Sequence, residues 1–398
     1  MLKAVRASDS FFFIKMICLI KDFRKALLIF LVLISFGSCY PQEKQQIDGI
    51  SKKKLQISFV GDLMCHSAII QSAKVSKDSF DFNPIFRFIK NELVASDLLI
   101  GNLETVVWEK YPPSGYPRFN APFEYLKALS ENGFDIMTTA NNHITDYWKE
   151  GLIATLTNIK NNGMDYIGTS SSKEDSDSLK IFYKNGISIS ILNYTYDINI
   201  KNLKSAEKFY VSLIDSQKIK NDISRLKNKN VDFIVVYYHF GSEYKITPNQ
   251  GQIKLVNQTF KYGADIVIGS HPHVLQPVKI WMSEDGKSIK NSVCYSMGNF
   301  LSNMSLRYTD SGAIINFYLS KSENKRSIDS VNFVATYVLK SKKNGFVILP
   351  SYFADDYENF DFISEAERNK MKNSFNDVKE ILNKYNTVKG INEIQHEK

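Results

Sequence analysis

Between residues 55 and 300, short apolar runs alternate with amphipathic ones, and this alternation restricts the fold more than any other feature of the chain. Buried strands are predicted at 55–60, 98–101, 136–140, 187–193, 233–238, 266–269 and 293–297. Helical spacing fills the gaps. Ile85, Phe88, Ile89 and Leu93 predict a helix over 84–95, and Leu152, Leu156 and Ile159 one over 150–161. Further helices are predicted at 122–132, 215–229 and 252–262. Strands that alternate with helices predict an α/β layered fold, with sheets flanked by helices. After residue 310 three strand-like runs follow one another, at 313–319, 331–339 and 346–349. A helix then opens on Ser364-Glu365-Ala366-Glu367, a capping-box pattern, with Met371, Phe375, Val378 and Leu382 turned inward. This C-terminal strand-rich and helical extension, 311–398, is expected to pack on the same domain as 55–310.

The polar residues able to carry chemistry collect just after the predicted strands. They are Gly61-Asp62, Asn102-Leu103-Glu104, Asn141-Asn142-His143 with Asp146, His239 with Glu243-Tyr244, Ser270-His271-Pro272-His273, and Gly298-Asn299. Open α/β sheets bind ligands at the carboxyl ends of their strands, where loops and helix N-termini meet. The chain has 6 histidines. All but His396 lie in these loops, and clustered ligand types mark sites. Two histidines in Ser270–His273 suit a metal, since neutral imidazole is a common ligand. Asp, Asn, Glu and His without a thiolate cluster favour Mn, Zn or Fe over a Cys-rich structural zinc. One or two divalent ions on such a scaffold could polarise a phosphoryl oxygen, with a histidine protonating the leaving group. Taken singly, Asp62 and Asn142 could equally cap helices or close turns. The Pro/Gly loop 111–117 reads either as a rim over the site or as a surface excursion.

Composition removes some alternatives. The formal charge is +8, but residues 1–38 hold six of the basic residues and two of the acids, leaving a net +4. That mild, dispersed charge argues against nucleic acid. Residues 1–38 have a signal-peptide layout: Lys21, Arg24 and Lys25, an apolar run over 26–34, then Gly37-Ser38-Cys39. The run is shorter than the roughly 20 residues of a spanning helix. A lipoprotein-type signal is expected, with Cys39 lipidated and a polar spacer over 39–54, so the body is exported and anchored in a membrane of the cell envelope. An uncleaved apolar anchor is the other reading. Cys65 and Cys294 are too few for a disulfide framework, and two buried free thiols are expected.

Six segments together resemble the bacterial capsule-synthesis protein family (CapA, also called PgsA). They are Val60-Gly61-Asp62-Leu63-Met64, Gly101-Asn102-Leu103-Glu104, Ala140-Asn141-Asn142-His143 with Asp146 and Gly151, His239–Tyr244, Gly263–Pro277 and Tyr295–Phe300. The resemblance implies a calcineurin-like metallophosphoesterase-type fold and a part in poly-γ-glutamate capsule biosynthesis. It implies Asp62, Asn142, His239, His271 and His273 as metal ligands and His143 as the general acid. Asp146, Glu243, Tyr244 and Asn299 fall in the substrate-contacting or ligand-orienting places. Two departures stand out: Met64 occupies a position where the resembled enzymes carry a histidine, and Asn102 replaces their bridging aspartate, unless Glu104 substitutes. One ion or two remains open. The expected function is a metal-dependent hydrolase acting on or alongside an anionic surface polymer or its precursor. The alternative is a non-catalytic, polymer-binding accessory subunit of a membrane synthase, and amide transfer on γ-glutamyl bonds is a third reading.

Overall fold

The runs 98–100, 233–238 and 266–268 are apolar on both faces because they lie between two hydrophobic layers. The computed structural model describes residues 52–201, 203–323, 325–341, 345–354, 363–386 and 392–393; the expected signal, the Cys39 anchor, most of the spacer and His396 lie outside them. The principal strands are β1 (Lys53–Leu63), β2 (Leu98–Leu103), β3 (Ile136–Thr138), β4 (Asp165–Ile167), β5 (Phe182–Lys184), β6 (Ile187–Thr195) and β7 (Phe233–His239). They continue with β8 (Ile266–Ser270), β9 (Leu275–Met282), β10 (Ile289–Met297), β11 (Asn299–Leu301), β12 (Ser311–Ser322), β13 (Lys325–Ser341) and β14 (Gly345–Pro350). The main helices are α1 (Phe123–Glu131), α2 (Trp148–Asn161), α3 (Ser216–Asn228), α4 (Gln250–Tyr262) and α5 (Glu365–Asn383).

The hydrogen-bonded order runs β4-β3-β2-β1-β12-β13-β10-β8-β7-β6-β5. The first four strands are parallel, as are β10, β8, β7 and β6, and the antiparallel pair β12–β13 joins the two halves. Strand side chains alternate between faces. Ile57 and Phe59, Leu98 and Ile100, Val235 and Tyr237, and Ile266 and Ile268 therefore share one inner cluster. Their neighbours Val60, Leu99 and Leu103 turn outward to meet Leu126, Leu129, Leu152 and Leu156 of α1 and α2. On the other half Ile234, Val236 and Val267 meet Ile219, Ile223, Leu226 and Val256 of α3 and α4. The layers run helix, sheet, sheet, helix. Burying one Ile, Leu or Phe contributes about 1.5–3 kcal/mol, so these clusters rather than the turns hold the layers together. This is the layered α/β fold expected from the sequence.

The carboxyl ends of the two halves converge at one place. Beyond Phe59, β1 leaves β12 and its Asp62 pairs with Asn102 on one side and Asn299 on the other. The Asp62 amide donates to the Gly298 carbonyl at 2.9 Å. Gly61 makes the approach feasible, because a Cβ there would lie 1.9 Å from the Gly298 oxygen. Gly269 serves likewise on β8, where a Cβ would meet the Tyr295 carbonyl at 2.0 Å.

One element differs from expectation. The helix predicted over 84–95 is two short ones, Asn83–Phe86 and Lys90–Val94. A continuous helix would hold all its apolar residues to one layer. Here Ile85, Phe86, Ile89 and Leu93 join the outer cluster, whereas Phe88 turns to the inner one and meets Phe353 edge-on at 5.8 Å. The C-terminal helix α5 packs inward. Its Met371, Phe375, Val378, Ile381 and Leu382 enter the inner cluster between the sheets, and Ser364 caps it by accepting the Glu367 amide. Cys65 and Cys294 are free and buried.

Candidate metal centre

Asp62, Asn102, Glu104, His239 and His273 meet where the two sheet halves converge, and all are buried. Asp62 Oδ1 accepts from the Asn102 amide at 2.8 Å and from the Ser270 hydroxyl. His273 Nδ1 faces two acceptors, Asp62 Oδ2 at 3.1 Å and Asn299 Oδ1 at 3.2 Å. That nitrogen therefore carries the hydrogen, which leaves Nε2 with its lone pair. His239 Nε2 lies 2.7 Å from Asn142 Oδ1, and its Nδ1 lies 3.4 Å from the Asn102 amide nitrogen.

Burial sets the protonation states. It pushes the Asp62 carboxyl up, but the His273 hydrogen bond and the nearby imidazoles overrule it and hold the group down at about 2. Glu104 goes the other way: burial, then the neighbouring Asp62 charge, raise it well above the ordinary carboxylate range. Burial keeps His239 well below the ordinary histidine value, and it lowers His271 to about 4, with His273 adding to the shift. Burial thus favours the neutral form of His239 and His271, the form that ligates a metal.

A divalent cation fits this donor set. Ligand atoms of Asp62, Glu104 and His273 lie within 4.8 Å of one another. Glu104 Oε1 and His271 Nδ1 are buried and have no hydrogen-bond partner; His239 Nε2 lies 3.7 Å from the former. A buried polar atom without a partner costs about 1–3 kcal/mol, a cost that a cation held by the Asp62–Glu104–His273 group would offset at Glu104. The backbone supports the same reading: His271 and His273 adopt φ of 98° and 58°. Non-glycine residues rarely occupy that region, and such strain gathers at functional sites.

The remaining candidates surround this centre. Asn142 and His143 follow β3, and His143 Nδ1 bonds Asp146 Oδ2 at 2.8 Å. Asp146 is pinned in turn by the Phe119 amide at 2.8 Å, while Arg118 holds its carbonyl. Glu243 and Tyr244 are exposed on the rim, with the Tyr244 ring 6.2 Å from that of His273. Asn299 anchors to the Thr309 carbonyl at 3.0 Å. Met64 donates its amide to Leu301 at 2.9 Å and is buried. His66 lies beside the centre without joining it: its Nδ1 accepts the Asn303 amide at 3.3 Å, and burial lowers it to about 4.

Several neighbours went unnamed in the sequence. Tyr196 lays its ring 4.5 Å from that of His271, and Asn199 reaches both His143 nitrogens at 3.4 Å. Both follow β6, a predicted strand, so the rule that chemistry collects after strands could have found them. Phe119 gave no such signal.

Fold and site together define a layered α/β protein with a buried Asp/Glu/His cluster at its converging strand ends. The family model described as "Bacterial capsule synthesis protein PGA_cap" matches residues 56–304, and the chain belongs to this family. It is 28% identical over 304 residues to the PGA biosynthesis protein CapA of Bacillus subtilis (strain 168), covering 75% of this chain and 77% of that protein. It is also 28% identical over 277 residues to the capsule biosynthesis protein CapA of Bacillus anthracis, covering 67% of this chain and 64% of that one. Among solved structures it is similar to the calcineurin-like phosphoesterase YfkN of Bacillus subtilis, with a TM-score of 0.43, 16% identity, 71% of this chain and 90% of that chain covered.

Proposed function

We propose that this chain is a metal-dependent hydrolase of the cell envelope that takes part in capsule biosynthesis, acting on or alongside an anionic surface polymer or its precursor. The observation that carries this reading is the buried Asp62–Glu104–His273 cluster, with Glu104 Oε1 and His271 Nδ1 unpartnered beside it. Asp62, Glu104, His239, His271 and His273 would hold the cation, with Asn142 beside His239. When bound, a divalent ion supplies Lewis acidity toward a phosphoryl or carbonyl oxygen. The chain's own residues do the rest. Asp146 fixes the His143 tautomer so that Nε2 can exchange a proton with the leaving group. Asn199 steadies that ring, and Asn299 and Asp62 orient His273. The capsule names of the two Bacillus relatives and the signal layout of residues 1–38 support an envelope location, with Cys39 as the lipidated tether and membrane synthase subunits as partners. Among the described residues no helix is long and apolar enough to cross a membrane.

Metal analysis after reconstitution with Mn²⁺, Zn²⁺ or Fe²⁺ tests the reading. Wild type should hold stoichiometric metal and His271→Ala should lose it. His143→Ala should keep the metal and lose turnover of bis(p-nitrophenyl) phosphate. Failure of the wild type to bind any of the three ions would leave the accessory, polymer-holding role in its place. Cys39→Ser should move the protein from the membrane to the soluble fraction.

A further inference from the structure

Asn102 turns hydrogens rather than an oxygen toward the centre. The direction of a side-chain amide follows from the groups around it. Two backbone groups fix Asn141: its Nδ2 donates to the Leu103 carbonyl at 2.8 Å, and its Oδ1 accepts the His143 amide at 3.2 Å. That Nδ2 also lies 3.3 Å from Asn102 Oδ1, to which the Thr138 hydroxyl donates at 3.1 Å. With its oxygen held by Asn141 and Thr138, Asn102 directs Nδ2 into the cluster. There it lies 2.8 Å from Asp62 Oδ1, 3.3 Å from Glu104 Oε2 and 3.4 Å from His239 Nδ1. All of these side chains are buried. The reverse orientation would set Oδ1 against two carboxyl groups and Nδ2 against the Asn141 amide, leaving buried polar groups unpaired on both sides.

The position matters because it lies between the Asp62–Glu104 pair and His239. Two divalent cations about 3.5–4 Å apart repel one another, and a shared oxygen ligand, best an anionic one, holds such a pair together. Divalent ions of this kind take oxygen, imidazole or thiolate donors. An amide N–H offers no lone pair and turns partial positive charge toward the place such a ligand would fill. The neighbouring carboxyl groups do not supply the missing ligand. Glu104 Oε2 accepts from Asn102, which leaves Oε1 alone unpartnered. Asp62 Oδ1 accepts from Asn102 and Ser270, and its Oδ2 faces His273 Nδ1.

We propose that the centre takes a single divalent cation, and that Asn102, held in place by Asn141 and Thr138, is what excludes a second. The same amide hydrogens hold Asp62 Oδ1 and Glu104 Oε2 side by side, which leaves Glu104 Oε1 free for that one ion. Asn141 acts through Asn102 and is a positioning residue. Replacing the Asn102 amide nitrogen by an oxygen reverses the arrangement with almost no change of shape. In the Asn102→Asp protein one oxygen still accepts from Asn141 and Thr138, and the other stands, charged, between Asp62, Glu104 and His239. Carboxyl groups so close disfavour one another's charged forms unless cations lie among them, so that variant should take two ions where the wild type takes one.

Resting on the metal reading above, the single-ion centre is tested by counting ions and by their magnetic coupling, neither of which depends on turnover. The full chain is stripped of metal, dialysed to equilibrium against Mn²⁺ and measured by elemental analysis and electron paramagnetic resonance. Wild type should hold about one Mn²⁺ per chain and give the signal of an isolated ion. Asn102→Asp, treated alike, should hold about two and give the signal of a spin-coupled pair. Should that variant fail to fold without metal, it is purified with Mn²⁺ present, and the wild-type spectrum decides by itself in any case: a coupled pair there overturns the proposal. An Asn102→Asp protein that still holds one ion overturns it too, and leaves the metal reading standing. A wild type that binds none of Mn²⁺, Zn²⁺ or Fe²⁺ sinks both.

Discussion

Glu104 is the residue whose chemistry most depends on what fills the site. Burial and the Asp62 charge raise it well above its ordinary 4.5, so the folded, metal-free protein keeps this proton at pH values where the unfolded chain has lost it. Stability changes with pH in proportion to the protons bound unfolded minus those bound folded. For Glu104 that difference is negative above 4.5, so its contribution falls as pH rises through neutral. The buried histidines act oppositely and lower in the range: His66 and His271, held to about 4, weaken the fold as pH drops below 6.5. The Glu104→Gln protein should therefore gain stability over wild type as pH rises from 5 to 8, read as urea midpoints of metal-free samples. Metal binding should also expel the Glu104 proton. Calorimetry in two buffers of different ionisation enthalpy should then show about one proton released by wild type and fewer by Glu104→Gln. At this scale the sequence was informative where ligand types were rare. Asp62, His239, His271 and His273 could be named because few histidines exist and they follow strands. Tyr196 and Asn199 also follow a predicted strand, but tyrosine and asparagine are common, so position alone did not single them out, and their role depends on the rings they touch.

At the level of single elements the centre depends on how closely β1 and β10 approach. The Gly61→Ala change would place a methyl 1.9 Å from the Gly298 oxygen, backbone against backbone. No side chain can swing aside to relieve that contact. The two strand ends must part, and with them Asp62 from Asn299 and His273. Strain of this kind belongs to the costly tail of point mutations, so a loss of about 3 kcal/mol or more is expected from chemical denaturation. Metal affinity should fall with it. A substitution at Gly251, whose one neighbour within 4 Å is Asn249 Oδ1 at 3.2 Å, serves as the comparison. Most elements were legible because their periodicity is strong: α3 was expected at 215–229 and runs Ser216–Asn228, with Asp215 accepting the Lys218 amide as its cap. The helix over 84–95 misled because period alone cannot show that Phe88 is claimed by a different layer from Ile85 and Ile89.

For the molecule as a whole, the order of strands in space conflicts with where the family match ends. The match stops at residue 304, yet β12 and β13, which follow it, stand between β1 and β10 and join the two parallel halves. β1 pairs with β12 from Lys53↔Lys321 to Phe59↔Ile315. Without that hairpin β1 would expose an edge along most of its length, and unpaired edges invite aggregation. Helix α5 adds to the dependence, since Met371, Phe375 and Val378 complete the cluster between the sheets. Alternation in the sequence revealed layers but could not reveal this insertion, because nothing local in residues 311–341 says which strands they will lie beside. A fragment of residues 52–304 should therefore fail to fold, showing no cooperative thermal transition and little dispersion of amide resonances. The 52–398 protein should unfold in a single transition by both fluorescence and circular dichroism. Within it, Met371→Ala should cost about 2–5 kcal/mol as a cavity in the inner cluster, and that loss should appear in the same transition that reports Phe59 and Ile268. Two separate transitions, with Met371→Ala moving one alone, would mean that the C-terminal strands and helix form a body of their own and that the centre stands without them.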